Sequence, residues 1–101
     1  MQKISEGWIM LEKTVEKYLC DRVRVTGGNH RKMVFPAHRG APDRLVGWDG
    51  LHIMIELKRP KGKGAEDHQQ REHKWLRSIG IDVRVIHTKE DVDAFIAEMT
   101  E

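Results

Sequence analysis

The sequence predicts a single α/β domain, residues 1–101, in which helices flank a mixed sheet. Apolar residues recur at helical spacing in three segments, alternate with polar residues in strand-like segments, and surround one Asp-Gly pair near the middle of the chain. The predicted order is helix, three strands, helix, strand, helix. A helix between the third and fourth strands predicts a parallel crossover, whereas a tight turn joins antiparallel strands. We therefore expect a mixed sheet covered by helices.

The first helix is predicted to begin at Ser5, which can cap it, and to end at about Asp21. At about 100° per residue, Glu12 lies roughly 60° from the centre of the apolar stripe and can face a cleft, whereas Glu16, at roughly 100°, is expected in solvent. The ordinary alternative for Glu12 is an exposed carboxylate paired with a lysine of the same helix. The stripe consists of Trp8, Leu11, Val15, Tyr18 and Leu19.

A β-hairpin is predicted from strands over residues 43–48 and 51–58, joined by Asp49-Gly50. Asp-Gly between two apolar runs is typical of a type I′ turn, in which both central residues have positive φ. If the loop contains only these two residues, Trp48 pairs with Leu51. The turn therefore sets the register of the whole hairpin.

The same register brings two carboxylates together. Counting back from the turn places Asp43 opposite Glu56, and because side chains alternate along a strand, both share a face with Lys58. Like charges opposite each other are destabilising, and a divalent cation would compensate them, with the Lys58 ammonium nearby. The ordinary alternative is a solvated face that carries these charges by chance. The other face is expected to supply core residues, namely Leu51, Ile53, Ile55 and Leu57.

Two elements flank the hairpin directly. A strand over residues 31–35 precedes it and ends at Pro36, because proline cannot donate to a ladder. A basic loop over residues 59–64 follows it, and Asp67 is predicted to cap the second helix in a capping box with Gln70. The core face of this helix is expected to consist of Trp75, Leu76 and Ile79.

The rest of the chain continues the alternation of helix and strand. Gly80 is expected to end the second helix, residues 82–87 alternate as a strand does, and Thr88 can cap a third helix. The apolar stripe of that helix consists of Val92, Phe95, Ile96 and Met99.

The charge distribution favours a polyanionic partner. The net charge is only +2, but residues 22–64 contain ten Lys or Arg and three acids, a local charge of +7. A basic middle between acidic flanks suggests nucleic acid, with a solvated basic loop as the ordinary alternative. Two of the three acids are Asp43 and Glu56, which favours a site between them.

Composition excludes several other classes. A single cysteine, Cys20, excludes an internal disulfide framework. No apolar run approaches the roughly 20 residues of a membrane span, and the pattern of a signal peptide is missing. We therefore expect a soluble cytoplasmic protein without an organic cofactor. The spacing of the histidines fits no zinc site, and a mere surface role stays open for His30, His38, His52, His68, His73 and His87.

An ordered set of motifs resembles the PD-(D/E)XK nuclease superfamily and, within it, the virus-type replication-repair nuclease family (VRR-Nuc). The set spans residues 11 to 88, nearly the whole chain. Glu-x-Lys alone is a weak signal and Gly-x-Pro-Asp a moderate one, but the ordered combination is specific. The matching pieces are Glu12, Gly27-Gly28, Lys32, Arg39-Gly40-Ala41-Pro42-Asp43-Arg44, Glu56-Leu57-Lys58-Arg59-Pro60, a glutamine that opens the second helix, and Leu76 with Gly80.

This resemblance implies a restriction-endonuclease-like core and metal-dependent cleavage of DNA phosphodiesters. By matching position, Asp43, Glu56 and the backbone carbonyl of Leu57 would bind Mg²⁺ or Mn²⁺, and Glu12 would join them from the first helix. Such ions prefer hard oxygen donors and retain waters. The bound ion would activate a water for attack, and Lys58 would orient that water or neutralise the developing charge.

The resemblance also implies residues beyond the metal ligands. In the family a glutamine precedes the helix-ending glycine by eleven residues, which selects Gln69 over Gln70 as a catalytic residue. The basic residues assigned to DNA contact or site support are Lys32, Arg39, Arg44, Arg59, Lys61 and Lys63.

The main hypothesis is thus an endonuclease that acts on branched, junction or flap DNA in repair or replication. The alternative is a non-catalytic DNA-binding module on the same fold, and a third possibility is a small structural or interaction protein. Small standalone members of the family resemble junction-resolving enzymes, which act as homodimers. Ile9 and Met10, on the far side of the first helix from its stripe, would offer an interface.

Overall fold

The structure is a computed structural model that describes residues 2–58 and 67–101, with side chains described from residue 11 onward. Within these residues the element order is α-β-β-β-α-β-α, so the predicted α/β class is confirmed. The elements are α1 Gln2–Val25, β1 Asn29–Lys32, β2 Arg44–Trp48, β3 Leu51–Leu57, α2 Asp67–Ser78, β4 Val83–Ile86 and α3 Lys89–Thr100.

The strands form one mixed sheet in the order β1-β2-β3-β4. β1 pairs with β2, and β2 with β3, in antiparallel fashion, whereas β3 and β4 are parallel. The connection between the parallel strands contains α2, as expected for a crossover. The predicted mixed sheet is confirmed.

The β2–β3 hairpin has the predicted register. Trp48 pairs with Leu51, and the Asp43 N–H donates to the Ile55 carbonyl at 2.9 Å at the open end of the hairpin. Of the two loop residues only Gly50 has a positive φ, 77°, so the predicted type I′ conformation is wrong. The prediction of the register still succeeds, because the length of the loop sets the pairing.

One face of the sheet packs against α1 and α3 to form the hydrophobic core. Thr88 caps α3 as predicted, and Asp91 completes a capping box with it. The indole of Trp48 packs on Phe95, with ring centroids 6.1 Å apart. The buried core consists of Val15, Leu19, Val23, Val46, Ile53, Ile55, Leu57, Ile86, Val92, Phe95 and Ile96, with Tyr18 and Met99 partly buried against it.

α1 is longer than predicted, and its burial begins later. The helix extends from Gln2 to Val25, so Ser5 lies inside it rather than at its cap. Leu11, predicted for the core, is 49% exposed, and Val15 is the first buried residue among the described side chains. A helix of 24 residues is about 36 Å long and extends beyond the sheet, whose longest strand spans about 23 Å. The side chains of Trp8, Ile9 and Met10 lie outside the described part.

β1 departs from its predicted limits, and one end of β3 is more exposed than predicted. β1 covers Asn29–Lys32 instead of residues 31–35, because its last pair joins Lys32 to the first residue of β2. Val34 follows this end and is 77% exposed. Leu51, predicted for the core, is 37% exposed because it adjoins the hairpin turn, beyond the helices that cover the rest of β3. β4 lies within the predicted residues 82–87.

α2 buries a different face from the one predicted. Trp75 and Ile79 are 54% and 55% exposed, whereas His73 and Leu76 are buried. Of the three predicted core residues only Leu76 is therefore confirmed. The helix packs near β4 along a narrow stripe, and residues three apart, such as His73 and Leu76, lie on one side of a helix.

The ends of α2 agree in part with the prediction. Gly80 follows the helix with a φ of 94°, the left-handed conformation expected of a C-terminal glycine. Asp67 is already helical, and its capping role with Gln70 stays a prediction. The predicted basic loop, residues 59–64, lies outside the described residues. None of the helices in the described part combines the length and apolar character needed to cross a membrane.

Candidate functional site

Two carboxylates lie together where β2 begins and β3 ends. The hairpin register places Asp43, the residue before β2, beside the end of β3, and Asp43 Oδ2 accepts a 2.8 Å hydrogen bond from the Leu57 N–H. Burial, and then the negative charge of Asp43, raises the pKa of Glu56, and the second effect is expected for acids held close together. The site lies between α1, which contributes to a cavity beside Asp43, and α2, which contacts Glu56.

Glu56 is the least compensated charge of the site. Its side chain is 4% exposed, and Oε2 accepts a 3.1 Å hydrogen bond from the Gln69 amide while lying 3.4 Å from Lys58 Nζ. Oε1 is buried without a hydrogen-bond partner in the described part of the chain. Burial, followed by the charges of Asp43 and then Glu12, raises the pKa of Glu56 to about 7 against the opposing effect of Lys58.

Lys58 and Gln69 form a bridge over Glu56. The Lys58 ammonium donates to Gln69 Oε1 at 2.6 Å, while the amide of the same glutamine donates to Glu56. Lys58 is itself fixed, because its backbone N–H donates to the Ile86 carbonyl at 3.0 Å. Gln69 makes these contacts, whereas Gln70 is exposed.

Gly40 lets the segment before Asp43 approach the first turn of α2. Its φ is 92°, and an added Cβ would lie 2.6 Å from the His68 carbonyl oxygen and 2.9 Å from Gln69 Cα. Only glycine fits both the conformation and the space. The Gly-x-Pro-Asp motif therefore places Asp43 at the strand and, through Gly40, supports the position of Gln69.

α1 closes the other side of the site. Glu12 lines a cavity of about 250 Å³ together with Glu16, Lys13, Asp43 and Leu57. Glu12 thus lies in the predicted region, on the margin of the buried face. Burial raises the pKa of Asp43, Glu16 adds to this, and the Leu57 N–H together with Lys58 and Lys32 opposes it.

Glu16 was expected in solvent, and this prediction is wrong. Arg44 Nε donates to Glu16 Oε2 at 2.8 Å, with the two side chains 20% and 27% exposed. Arg44 Nη1 lies 3.3 Å from His30 Nδ1. Burial, and then the positive charges of neighbouring arginines, lowers the pKa of His30, so the neutral ring can accept from Arg44. A pure helical projection could not anticipate a partner contributed by another element.

The sequence left a surface role open for His73, but the structure buries this residue. The side chain is 3% exposed, and its Nε2 lies 3.9 Å from Glu56 Oε1. Neither atom has a hydrogen-bond partner in the described part of the chain. Burial, followed by the charges of Arg77 and Lys58, lowers the pKa of His73 and keeps the ring neutral. The available signal was its position four residues after Gln69, hence on the same side of α2.

The predicted DNA-contact residues have different surroundings. Lys32 and Arg39 are exposed, and Lys32 is close enough to Asp43 to lower its pKa. Arg44 is held by Glu16. Arg59, Lys61 and Lys63 lie outside the described residues.

The side chains alone supply only some of the oxygen ligands that a small hard cation requires. In the described part of the chain, no group of three or more His, Cys, Asp or Glu is arranged to hold a metal ion. Mg²⁺, however, is usually bound through one or two carboxylates and retains several waters. Asp43, Glu56 and the Leu57 carbonyl meet that smaller requirement, and the buried, unpartnered Glu56 Oε1 is an oxygen that a cation would compensate.

Comparisons with known proteins match most of the chain. It is 39% identical over 83 residues to "Putative nuclease p44" of Acyrthosiphon pisum secondary endosymbiont phage 1, an alignment that covers 81% of this chain and 88% of that protein. Among solved structures, a "VRR_NUC domain" is similar with a TM-score of 0.79 and 34% sequence identity, covering 85% of this chain and 94% of the other. No protein-family model matches.

Proposed function

The chain belongs to the VRR-Nuc family, and we propose that it is a metal-dependent endonuclease that hydrolyses phosphodiester bonds in DNA. The proposed substrates are structured DNAs of repair or replication, namely branches, flaps and Holliday junctions. The family supports nuclease activity, and the basic middle of the chain supports a polyanionic substrate.

The observation that carries the proposal is the state of Glu56. A carboxylate at 4% exposure, with one oxygen unpartnered and the charge of Asp43 nearby, is costly to ionise, as its raised pKa of about 7 indicates. Perturbation by burial and a second acid is typical of functional sites. A divalent cation would offset both causes at once.

Asp43, Glu56 and the Leu57 carbonyl would hold Mg²⁺ or Mn²⁺, with Glu12 joining directly or through water. When bound, such an ion lowers the pKa of a coordinated water and stabilises charge on the phosphate. The Leu57 N–H orients the Asp43 carboxylate. Gln69 orients Glu56 from the opposite side.

Lys58 would orient the attacking water or neutralise charge on the phosphate. Its ammonium lies at the site, 3.4 Å from Glu56, and the 2.6 Å bond to Gln69 restricts its direction. We therefore assign Gln69 the positioning of Lys58.

The basic residues would bind phosphates around this centre. Exposed Lys32 and Arg39 are suited to direct contact. The ion pair of Arg44 with Glu16 favours site support for Arg44 over direct contact. The same phosphate-binding role is proposed for Arg59, Lys61 and Lys63.

The test is cleavage of labelled junction, flap and duplex DNA in Mg²⁺, in Mn²⁺ and in EDTA. We expect products in either ion and none in EDTA. Asp43→Asn should abolish cleavage, whereas Asp49→Asn, the same substitution at the exposed hairpin turn, should not. Equal activity of the wild type and Asp43→Asn in both ions would refute the catalytic proposal.

The alternative, a non-catalytic DNA-binding module, predicts salt-sensitive DNA binding without product in any ion. One argument against this alternative is that buried carboxylates repel DNA phosphates. A protein that only binds DNA therefore gains nothing from them. The same cleavage assay separates the two functions.

We also propose a homodimer in the cytoplasm of a bacterium or phage-infected cell. The homodimer is supported by the symmetry of a junction, on which a two-fold enzyme can cut both strands. The location is supported by the similarity to a phage protein. Sedimentation at micromolar concentration should give twice the mass of one chain. A monomer would remove the dimer and leave the nuclease proposal intact.

A further inference from the structure

A separate cavity of about 560 Å³ opens between the segment that follows β1 and the exposed side of α2. Its lining residues are Phe35, Pro36, His38, Glu72 and Trp75, and we refer to it as the Trp75 pocket. None of these residues belongs to the proposed catalytic centre. The pocket nevertheless shares α2 with Gln69, six residues before Trp75.

Two aromatic side chains give this pocket its apolar surface. Trp75 is 54% exposed, and Phe35 is only partly buried. The turn that presents Phe35 is closed by a 3.1 Å hydrogen bond from the His38 N–H to the Phe35 carbonyl. Within it Ala37 has a φ of 65°, an uncommon conformation for a residue with a Cβ. Strain of this kind is typical of functional segments.

Polar groups at the edge of the pocket are available for a ligand. Glu72 is partly buried, and neither its carboxylate nor the Trp75 indole N–H has a hydrogen bond within the described part of the chain. His38 adds an exposed ring. An apolar platform with one acceptor and one donor at its rim suits a flat heteroaromatic group.

The charges next to the lining residues in the chain favour a polyanionic ligand that carries such a group. Three lining residues each have an exposed cation next to them in the chain. These cations are Arg39, Arg71 and Lys74. Residues 31–39 contain three cations and no acid. A second copy of this chain would carry the same net positive charge, which disfavours it as the occupant. Nucleic acid combines phosphates with stacking bases, so the charge favours it as the occupant.

We propose that the Trp75 pocket binds an unpaired nucleobase of the DNA substrate. The base stacks on the aromatic side chains, and Glu72 accepts a hydrogen bond from the exocyclic amino group of adenine, cytosine or guanine, which thymine lacks. This inference rests on the proposed function for its choice of DNA. Six residues of helix place Trp75 about 9 Å from Gln69, the length of two to three base steps. The preferred substrate therefore has a single-stranded arm or an unpaired base near the cut.

The experiment uses the Asp43→Asn protein in Mg²⁺, so that bound DNA is not cut, and a duplex with a single-stranded arm carrying 2-aminopurine at successive positions. At one position the emission should fall on binding, because stacking quenches it. Trp75→Phe should retain the quenching. Trp75→Ala should lose it and bind the arm about 5- to 100-fold more weakly.

Two further variants isolate the cause. Ile79→Ala truncates an equally exposed side chain four residues further along the chain, just after the end of α2 and outside the pocket, and should behave as the parent. Thymine at the quenched position should weaken binding about tenfold in the parent. It should weaken binding less in Glu72→Gln, whose amide can also pair with thymine.

Equal binding by Trp75→Ala and Ile79→Ala would overturn the proposal. So would a dimer that dissociates on Trp75→Ala with unchanged affinity per chain, because the pocket would then be an interface between copies. If Trp75→Ala does not fold, Trp75→Leu takes its place. Wild-type cleavage without quenching would remove the pocket alone, whereas absence of wild-type cleavage on every DNA would remove the proposed function, independently of the quenching result.

Discussion

Two clusters of charge in this protein are built on pairs of carboxylates, and they are compensated in opposite ways. In the first, Arg84 lies between Asp82 and Glu98, and donates to them at 2.6 and 2.7 Å. In the second, Asp43 and Glu56 have Lys58 nearby, yet one oxygen of Glu56 has no partner in the described part of the chain. One cation donates to both acids of the first pair, whereas Lys58 leaves one oxygen of the second pair without a partner in the described part of the chain.

Burial makes this difference consequential. The Arg84 cluster is between 35% and 54% exposed, and the bond from Arg84 holds the pKa of Glu98 below its usual range. Glu56 is buried, and its pKa rises to about 7. An exposed pair is satisfied by its arginine and water, whereas a buried pair lacks both. The second cluster therefore suits an exchangeable cation.

The largest expected difference between the clusters is in activity. Glu56→Gln should reduce cleavage by about 10³-fold, equivalent to about 4 kcal/mol of transition-state stabilisation, because a proposed metal ligand is lost. Glu98→Gln makes the same chemical change in the first cluster and should leave cleavage unaltered. Initial rates on one junction substrate measure both variants, and equal losses would end the functional distinction between the clusters.

The next difference is in the pH dependence of stability without metal. In the folded protein the pKa of Glu56 is about 7, which is above 4.5, the ordinary pKa of a glutamate side chain. The folded state therefore retains the proton longer, and stability falls as pH rises between these values. The free energy of unfolding of the wild type, relative to Glu56→Gln, should fall by up to about 3 kcal/mol from pH 4 to pH 8.

Glu98 gives the opposite sign in a different range. Because Arg84 lowers its folded pKa, its contribution is present at neutral pH and is lost only on acidification below 4.5. Urea titrations of the two glutamine variants at several pH values check both signs. A flat difference for Glu56→Gln across pH 4 to 8 would contradict its burial as an unpaired acid.

Metal binding should also distinguish the two clusters. Mg²⁺ at 100 times its dissociation constant should stabilise the wild type by about 3 kcal/mol, and the effect should grow as pH passes 7 and Glu56 ionises. Glu56→Gln should lose most of this gain, and Glu98→Gln none. Thermal denaturation with and without Mg²⁺ provides the measurement, and a gain shared by both variants would place the ion elsewhere.

The smallest expected effect concerns the support of the second cluster. Gly40→Ala and Gly80→Ala both place a Cβ at a φ near 93°, but only Gly40 has backbone within 3 Å of it. Each should cost about 1 kcal/mol for the backbone conformation. Gly40→Ala should cost about 1–3 kcal/mol more and also slow cleavage, because Gln69 would move. Denaturant titration and initial rates compare them, and equal losses would deny Gly40 its supporting role.

The framework that gathers the proposed site follows from local patterns in the sequence. A two-residue loop at Asp49-Gly50 permits one register, so Asp43 and Glu56 could be placed together without coordinates. The turn type was missed because Asp49 does not have a positive φ, yet pairing depends on loop length. The apolar stripe and the N-cap of α3 could also be predicted from the sequence, because both are local patterns.

The buried side of each helix, and the residues that contact it, depend on how the elements pack together. Glu16 and Arg44 are 28 residues apart, and their ion pair depends on how α1 packs beside β2. His73 is buried and Trp75 exposed because α2 packs near β4 through a narrow stripe, which reverses what hydrophobicity alone predicts. Periodicity reports the residues that could face a core. The packing partner selects among them, and here it buries His73 and leaves Trp75 exposed.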